Sequence, residues 1–316
     1  MISPYKKLFI ITSLFLLIAG CNSKSARPLF VATSHPISEI IRELSGPTIV
    51  VHTLVPPNAS PHTFEPKPAD IYKLQAAEAL FYVSPQLDVW AEKLEAKNKI
   101  QLLSMVPEEL LLDFGKDEHN HKHSGETHIE KKNKKGVNDK TKKIDKNRVY
   151  DPHFWMDPLV VKAILPALAD TLTAIDPENA AKYKANAKRF ADRLDVLNKQ
   201  VSSELQSVAG KPVFLFHPSI RYLLKRYKLV YAGAIEEFPG KEPSPKYIAE
   251  LSNKIKANRA NAVFTEPQLP EAPAKTISEV LGINLYTLDP IGGVEGRMRY
   301  TELILYNAKT LKKALK

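Results

Sequence analysis

Apolar residues fall along the chain in two alternating rhythms. Short, nearly unbroken apolar runs at residues 29–33, 49–55, 79–83 and 100–105 read as strands. The segments between them, 37–44, 69–78 and 87–96, carry apolar positions at helical spacing. In the first of these helices Ile37, Ile40, Ile41 and Leu44 share one face, and Gly46 follows as a stop. A second series begins at Pro212, with strands at 213–216, 229–232, 262–264 and 285–288 and helices centred on Leu223, Ile248, Ile277 and Leu305. Strands that are apolar on both faces and alternate with helices predict mostly parallel sheets covered on both sides. The expected fold class is therefore α/β, with two lobes of similar strand count.

Between the two series the pattern is purely helical. Asp176-Pro177 has the form of a capped start, and residues 178–208 contain neither Gly nor Pro before Gly210 closes the segment. Tyr183, Phe190, Leu194, Leu197, Val201 and Leu205 recur at helical spacing. About 32 residues rising ~1.5 Å each would make a rod of roughly 45–50 Å. This predicts an N-terminal lobe over 29–175, a linking helix over 176–210 and a C-terminal lobe over 211–316. Two shorter helices joined without a visible break are the alternative.

The start of the chain carries a different signal. Lys6 and Lys7 precede an apolar run over 8–18, then Ala19-Gly20-Cys21. That is the form of a secretory signal peptide over 1–20, and the run is short for a membrane span. Ile18-Ala19-Gly20-Cys21 resembles a bacterial lipobox, and Cys21 is the sole cysteine of the chain. The expectation is an exported protein lipidated at Cys21, with 21–28 as a polar tether and no intrachain disulfide.

Charge alters the picture only once it is located. The 316 residues hold 45 Lys+Arg and 35 Asp+Glu, a net +10, of which residues 116–148 contribute +5 through 11 basic and 6 acidic side chains. A basic loop is not a basic face that tracks phosphates, so nucleic acid is not an expected partner. The same stretch is almost free of apolar residues and is read as a disordered loop. It carries His119, His121, His123 and His128, which suit weak auxiliary metal capture or are incidental to a solvated insertion.

Three other histidines sit at the ends of folded elements. His62 lies in the proline-rich loop after the second strand, His153 just before a helix opened by Asp157-Pro158, and His217 directly after Val213-Phe214-Leu215-Phe216. Asp289 follows the last predicted strand and precedes Pro290. Ligands of open parallel sheets bind beyond the carboxyl ends of the strands, so these four residues can meet in a cleft between lobe mouths. Three imidazoles and a carboxylate suit Zn²⁺, which takes N and O ligands tetrahedrally, better than Mn²⁺, which prefers more oxygen. Taken singly, each has a plain structural reading: a satisfied cleft histidine, or an Asp in turn chemistry before Pro.

Taken together, the segments resemble a known family. Pro61-His62-Thr63-Phe64-Glu65-Pro66, the stretch 151–158, Phe216-His217-Pro218, Gly240-Lys241-Glu242-Pro243-Ser244-Pro245, Phe264-Thr265-Glu266-Pro267-Gln268, Leu288-Asp289-Pro290-Ile291-Gly292-Gly293 and Tyr306-Asn307-Ala308 occur in the order of the zinc/manganese solute-binding lipoproteins of bacterial ABC importers. The family includes the high-affinity zinc-uptake binding proteins. The resemblance runs over nearly the whole mature chain. It implies two α/β lobes joined by one long helix, a metal held between them by His62, His153, His217 and Asp289, and no catalysis. It also implies transported Zn²⁺ or Mn²⁺ as the ligand, a cognate permease and ATPase as partners, a lipid anchor on Cys21, an extracytoplasmic location and a monomeric state.

Manganese members resemble this pattern but usually place glutamate where His217 stands, which favours zinc here. The insertion before the second ligand is basic where zinc members often have an acidic one, and Ile220-Arg221 replaces the usual aromatic-glycine pair. The same fold with Mn²⁺ or Fe²⁺, a surface adhesin and a zinc-dependent hydrolase are the competing readings. The hydrolase lacks both a His-Glu-x-x-His helix and an obvious general base. Glu266 is read as an acceptor orienting an imidazole or as a cap, His35 as a rim residue and His52 as structural. Trp155 and Phe64 either exclude water from the site or pack in the core.

Overall fold

A computed structural model describes residues 29–114 and 148–316. Cys21, the signal peptide, the tether and His119, His121, His123 and His128 lie outside the described residues. The first half folds as β1 (Leu29–Ala32), α1 (His35–Ser45), β2 (Val50–Thr53), α2 (Pro68–Gln75), β3 (Ala79–Tyr82), α3 (Pro85–Glu92) and β4 (Lys99–Gln101). The four strands form one parallel sheet in the order β2-β1-β3-β4. The central strands are the apolar ones: every residue of β3, and all but Leu29 of β1, is buried, as a sheet covered on both faces requires.

The second half contains α4 (Pro158–Ile175), α5 (Ala180–Leu205), β5 (Pro212–Leu215), α6 (Arg221–Arg226), β6 (Val230–Ala234), α7 (Pro245–Ala257), β7 (Ala262–Thr265), α8 (Ala272–Leu281), β8 (Asn284–Thr287) and α9 (Tyr300–Leu315). Its strands pair as two separate parallel ladders, β5-β6 and β7-β8, with β5 lying beside β7. The expected strand count is met, but not as a single four-stranded ladder.

Several boundaries differ from the sequence reading for identifiable reasons. The strand expected over 100–105 ends at Gln101, and Leu103–Met105 is a 3₁₀ turn. The helix expected over 87–96 ends at Glu92 and is kinked at Asp88 (φ −126°, ψ 53°). The buried Asp88 carboxylate accepts hydrogen bonds from Thr33 Oγ1 (2.6 Å) and from the Val83 and Ser84 amides (both 2.9 Å). Those bonds pull the residue out of helical geometry. Asp157 caps α4 through the Leu159 amide at 2.8 Å with Pro158 at the first position, as its sequence suggests.

Asp176 does not cap the next helix. Its carboxylate accepts from Tyr183 Oη (2.6 Å) and Asn179 Nδ2 (2.8 Å), and Pro177–Asn179 is 3₁₀. The long helix α5 therefore has 26 residues and spans about 39 Å. All six apolar positions read from its periodicity are buried, and α5 packs on α1, α4 and α9. One apolar cluster consequently runs from Phe30 to Leu315 across both halves and includes the buried stripe of α5, with two smaller clusters beside it. Where the described residues resume, Arg148 bonds both oxygens of Asp113 (3.0 and 2.6 Å). Next to it, Asp113 and Tyr150 form an antiparallel bridge.

Candidate metal centre

Three loops deliver one imidazole each. His62 sits in the β2–α2 loop, which is pinned by Trp90 Nε1 donating to Pro61 O (2.8 Å) and by Phe64 packing edge-on to Trp90 at 5.0 Å. His153 follows the Asp113–Tyr150 bridge and opens the 3₁₀ turn Phe154–Met156. His217 stands just past β5, in a turn closed by the Ser219 amide on His217 O (2.8 Å). His217 stands at the end of a strand whose apolar residues are buried, and the two pinned loops bring His62 and His153 to it.

The ring centroids of His62, His153 and His217 lie 5.2–5.5 Å apart, and one ring nitrogen from each falls within 4.8 Å of the others. Outer partners fix which nitrogen carries the proton. His153 Nδ1 faces Asp151 Oδ1 at 2.8 Å, and His217 Nδ1 faces Glu236 O at 3.3 Å. An acceptor at Nδ1 holds the proton there and turns the Nε2 lone pair inward. The Nε2 atoms of His62 and His153 stand 3.4 Å apart, while His217 Nε2 is buried without a hydrogen-bond partner.

Electrostatics keep His62 and His217 neutral. Burial, reinforced by neighbouring His153, lowers the His62 pKa to about 3. Burial followed by the other two imidazoles holds His217 well below its ordinary value. Converging neutral lone pairs without protons to share repel one another and suit a cation. The cavity they line is small, about 20 Å³, which is room for roughly one water-sized guest.

Asp289, the fourth residue of the set implied by resemblance, is not among the three whose ligand atoms lie within 4.8 Å of one another. It is buried, and its Oδ1 accepts from Ile291 N (3.0 Å), Gly292 N (2.9 Å) and Gln268 Nε2 (3.0 Å). Its Oδ2 lies 3.0 Å from Arg297 Nε, an ion pair whose N–H is not aimed at the oxygen. Its backbone is clasped by Asn307 at 2.8 and 2.7 Å. The carboxylate is thus neutralised and committed to the loop that follows it.

The remaining candidates separate cleanly. Glu266, just past β7, is buried and lines the cavity. It accepts from Ser219 Oγ (2.6 Å) instead of from an imidazole. Burial, with Asp289 and Glu236 nearby, raises its pKa to about 8 despite the Ser219 bond. His35 Nε2 meets Met298 O at 2.8 Å, and the residue is buried and not in the cluster. His52 pairs with Lys73 Nζ at 3.1 Å. Trp155 is fully buried and donates to Pro290 O (2.8 Å).

Sequence reasoning missed the part played by Asp151. It is fully buried, bonds both the backbone N (3.0 Å) and Nδ1 (2.8 Å) of His153, and lies 3.6 Å from Arg221. Its signal was its place two residues before a candidate ligand. Arg221 belongs to the pair that departs from the family pattern, and it reaches the site through this carboxylate.

Three imidazoles converging from loops of an α/β fold define a metal-binding protein of the two-lobe type. The chain matches the family model described as "Zinc-uptake complex component A periplasmic" (ZnuA) over residues 30–314, and it belongs to that family. Members of that family are solute-binding proteins and not catalysts.

It is similar to the high-affinity zinc uptake system protein ZnuA of Brucella abortus (strain 2308), at 38% identity over 52% of this chain and 50% of that protein. The matched segment thus spans about half the length of that relative. It is also similar to the ZnuA of Yersinia pestis, at 27% identity over 92% of this chain and 91% of that protein. A solved structure titled "Crystal structure of ZnuA" superposes with a TM-score of 0.74 at 27% identity, covering 92% of this chain and all of that one.

Proposed function

We propose that this protein captures Zn²⁺ outside the cytoplasm and delivers it to the permease of an ABC importer whose ATPase is a separate chain. One observation carries the reading: three imidazoles from three loops present convergent Nε2 atoms, with His153 and His217 held by acceptors at Nδ1. The relatives' names point to the same cargo. His62, His153 and His217 are the ligands in this reading. A histidine at 217 in place of a carboxylate favours zinc over manganese, because imidazole donors suit Zn²⁺ and oxygen donors suit Mn²⁺.

Lobes over 29–175 and 211–316, joined through 176–210, frame the site. Cys21 carries the lipid that tethers the protein to the membrane, and the protein works as a monomer. Competitive Zn²⁺ and Mn²⁺ titration of the protein and of His153→Ala tests the reading. A single tight Zn²⁺ equivalent, lost in the variant, is expected. Unchanged tight binding in His153→Ala would remove the cluster from the function.

A further inference from the structure

Another cavity, of about 500 Å³, lies at the opposite end of the first sheet from the histidines. The His62 loop leaves from the carboxyl end of β2, whereas this cavity opens where α1 ends and β2 begins, beside Gly46 and Ile49. Its walls are basic by construction. Lys182, Asn186, Arg189 and Arg193 recur along α5 every three or four residues, so one face of the helix carries all of them. Asn186 is buried, and its Nδ2 donates to Leu44 O at 2.7 Å, which fixes that face against the end of α1. Arg42, from the last turn of α1, completes the lining. Gly46 (φ 70°) lets the Lys182 stem pass, because a Cβ there would stand 3.2 Å from Lys182 Cε.

The charges of this cavity do not balance. Arg42 pairs with Glu39 at 2.8 Å, and Arg193 with Glu43, the one carboxylate among the lining residues. Among the described residues, Lys182 and Arg189 bond only neutral oxygens, Thr48 Oγ1 and Asn186 Oδ1. Two cations that face one cavity without a counter-charge repel each other, and an anion between them reverses the sign of that energy. A guanidinium and an ammonium together suit a phosphoryl group: the planar fork pairs with two of its oxygens, and the ammonium acts as a point charge. The cavity also has a place relative to the tether. Leu29 pairs with Val50 at the start of the parallel strands, so the chain running back to Cys21 leaves from the same edge. Residues 21–28 reach at most about 28 Å, which keeps this edge near the headgroups when Cys21 carries a lipid.

We propose that this cavity is an anion site that takes a phosphoryl group through Lys182 and Arg189, with Arg42 and Arg193 as the flanking cations. Its position beside the tether favours a lipid headgroup as the source over free phosphate. The site stands apart from the metal centre, so the two readings fail or hold separately.

The test uses residues 22–316, which keep every described residue and carry no lipid. Co-sedimentation with phosphatidylcholine vesicles, with and without an equal share of phosphatidylglycerol, reads the lipid source, and isothermal titration with inorganic phosphate reads the free one. Lys182→Gln with Arg189→Gln is compared with Lys184→Gln with Lys188→Gln, exposed lysines of the same helix that do not line the cavity. The parent is expected to bind the phosphatidylglycerol vesicles, the cavity pair to weaken this about tenfold or more, and the control pair to stay within about twofold. Inorganic phosphate binding alone, lost in the cavity pair, supports the site with a soluble source. Equal losses in the two pairs would reveal a general charge effect and overturn the proposal, as would binding to neither probe. Arg189→Gln alone, at an exposed position, decides should the cavity pair not fold: about a fivefold loss supports the site, and binding equal to the parent's overturns it. Zn²⁺ titration of the cavity pair, expected to match the parent, shows that the metal centre is untouched.

Discussion

Asp151→Asn isolates the outer layer of the metal site without touching a ligand. The Asp151 carboxylate accepts from His153 Nδ1 at 2.8 Å and from the His153 amide at 3.0 Å, and it is fully buried. In Asn the oxygen still accepts from Nδ1, so the tautomer and ring orientation survive. What disappears is the negative charge that makes Nε2 a stronger donor to a cation. The new amide nitrogen also faces Arg221, 3.6 Å from the oxygen it replaces, so donor meets donor. Loss of such an outer partner typically costs about 10–100-fold in metal affinity, or roughly 1.4–2.8 kcal/mol. The assay is Zn²⁺ competition at neutral pH, with far-ultraviolet circular dichroism to confirm an intact fold. Affinity within about twofold of the parent would refute the reasoning, because the carboxylate would then be a structural partner of the turn and not part of the site.

His217→Glu should shift preference from Zn²⁺ towards Mn²⁺ by exchanging an imidazole for oxygen donors; an unchanged ratio of the two affinities would remove the argument for zinc from that position. Deleting residues 117–147 should leave the tight equivalent and the melting temperature nearly unchanged. The chain on either side is already joined by the Asp113–Tyr150 bridge and the Arg148–Asp113 pair, and isothermal titration of the deleted form checks this. Metal-free protein should lose stability as pH falls below about 6.5. The unfolded chain then takes up protons that folded His62, with a pKa of about 3, refuses. Down to pH 4 the loss from His62 alone has a ceiling of about 3 kcal/mol, reduced because part of the ring still meets solvent. Urea melts from pH 7 to 4 measure it, and excess Zn²⁺ should oppose the decline. A flat profile would mean that the imidazoles protonate freely in the folded state.

Much of this molecule is legible in its sequence because the relevant signals are local. Apolar runs such as Ala79–Tyr82 become the fully buried centre of a parallel sheet, and the heptad-like spacing of Tyr183 to Leu205 becomes the buried stripe of α5. His217 stands just past β5, as ligands of open parallel sheets do, and His62 and His153 meet it from loops. What the sequence hides is long-range competition for a polar group. Asp289 has the position of a ligand, and its contacts to Arg297, eight residues on, and to Gln268, from another loop, are invisible in the spacing. Asp176 has the form of an N-cap, but Tyr183 takes its carboxylate. Asp88 looks like an ordinary helical residue until three donors converge on it. In each case the decision rests on a tertiary partner that no spacing rule contains.

The same long-range contacts bear on how the ion leaves. Trp155, from the chain before α4, donates to Pro290 O, and Tyr300 Oη of α9 donates to Trp155 O at 2.7 Å. Both rings are fully buried in the core that spans the two halves. Separating the halves would expose rings that each bury about 150–250 Å², at a cost of roughly 4–6 kcal/mol apiece. Two lighter ties join the loops around the cluster: Gln268 Nε2 to Pro57 O (2.8 Å) and His35 to Met298 O. A hydrogen bond of that kind contributes only about 1 kcal/mol net. Movement of the His62 loop, after release of Gln268 from Pro57 and of Trp90 from Pro61, therefore costs less than a hinge opening and still removes one imidazole of three. Spin labels on α1 and α9 should then keep their separation when Zn²⁺ binds, while a label beside His62 shifts. A large change between the helices would show that the core opens after all.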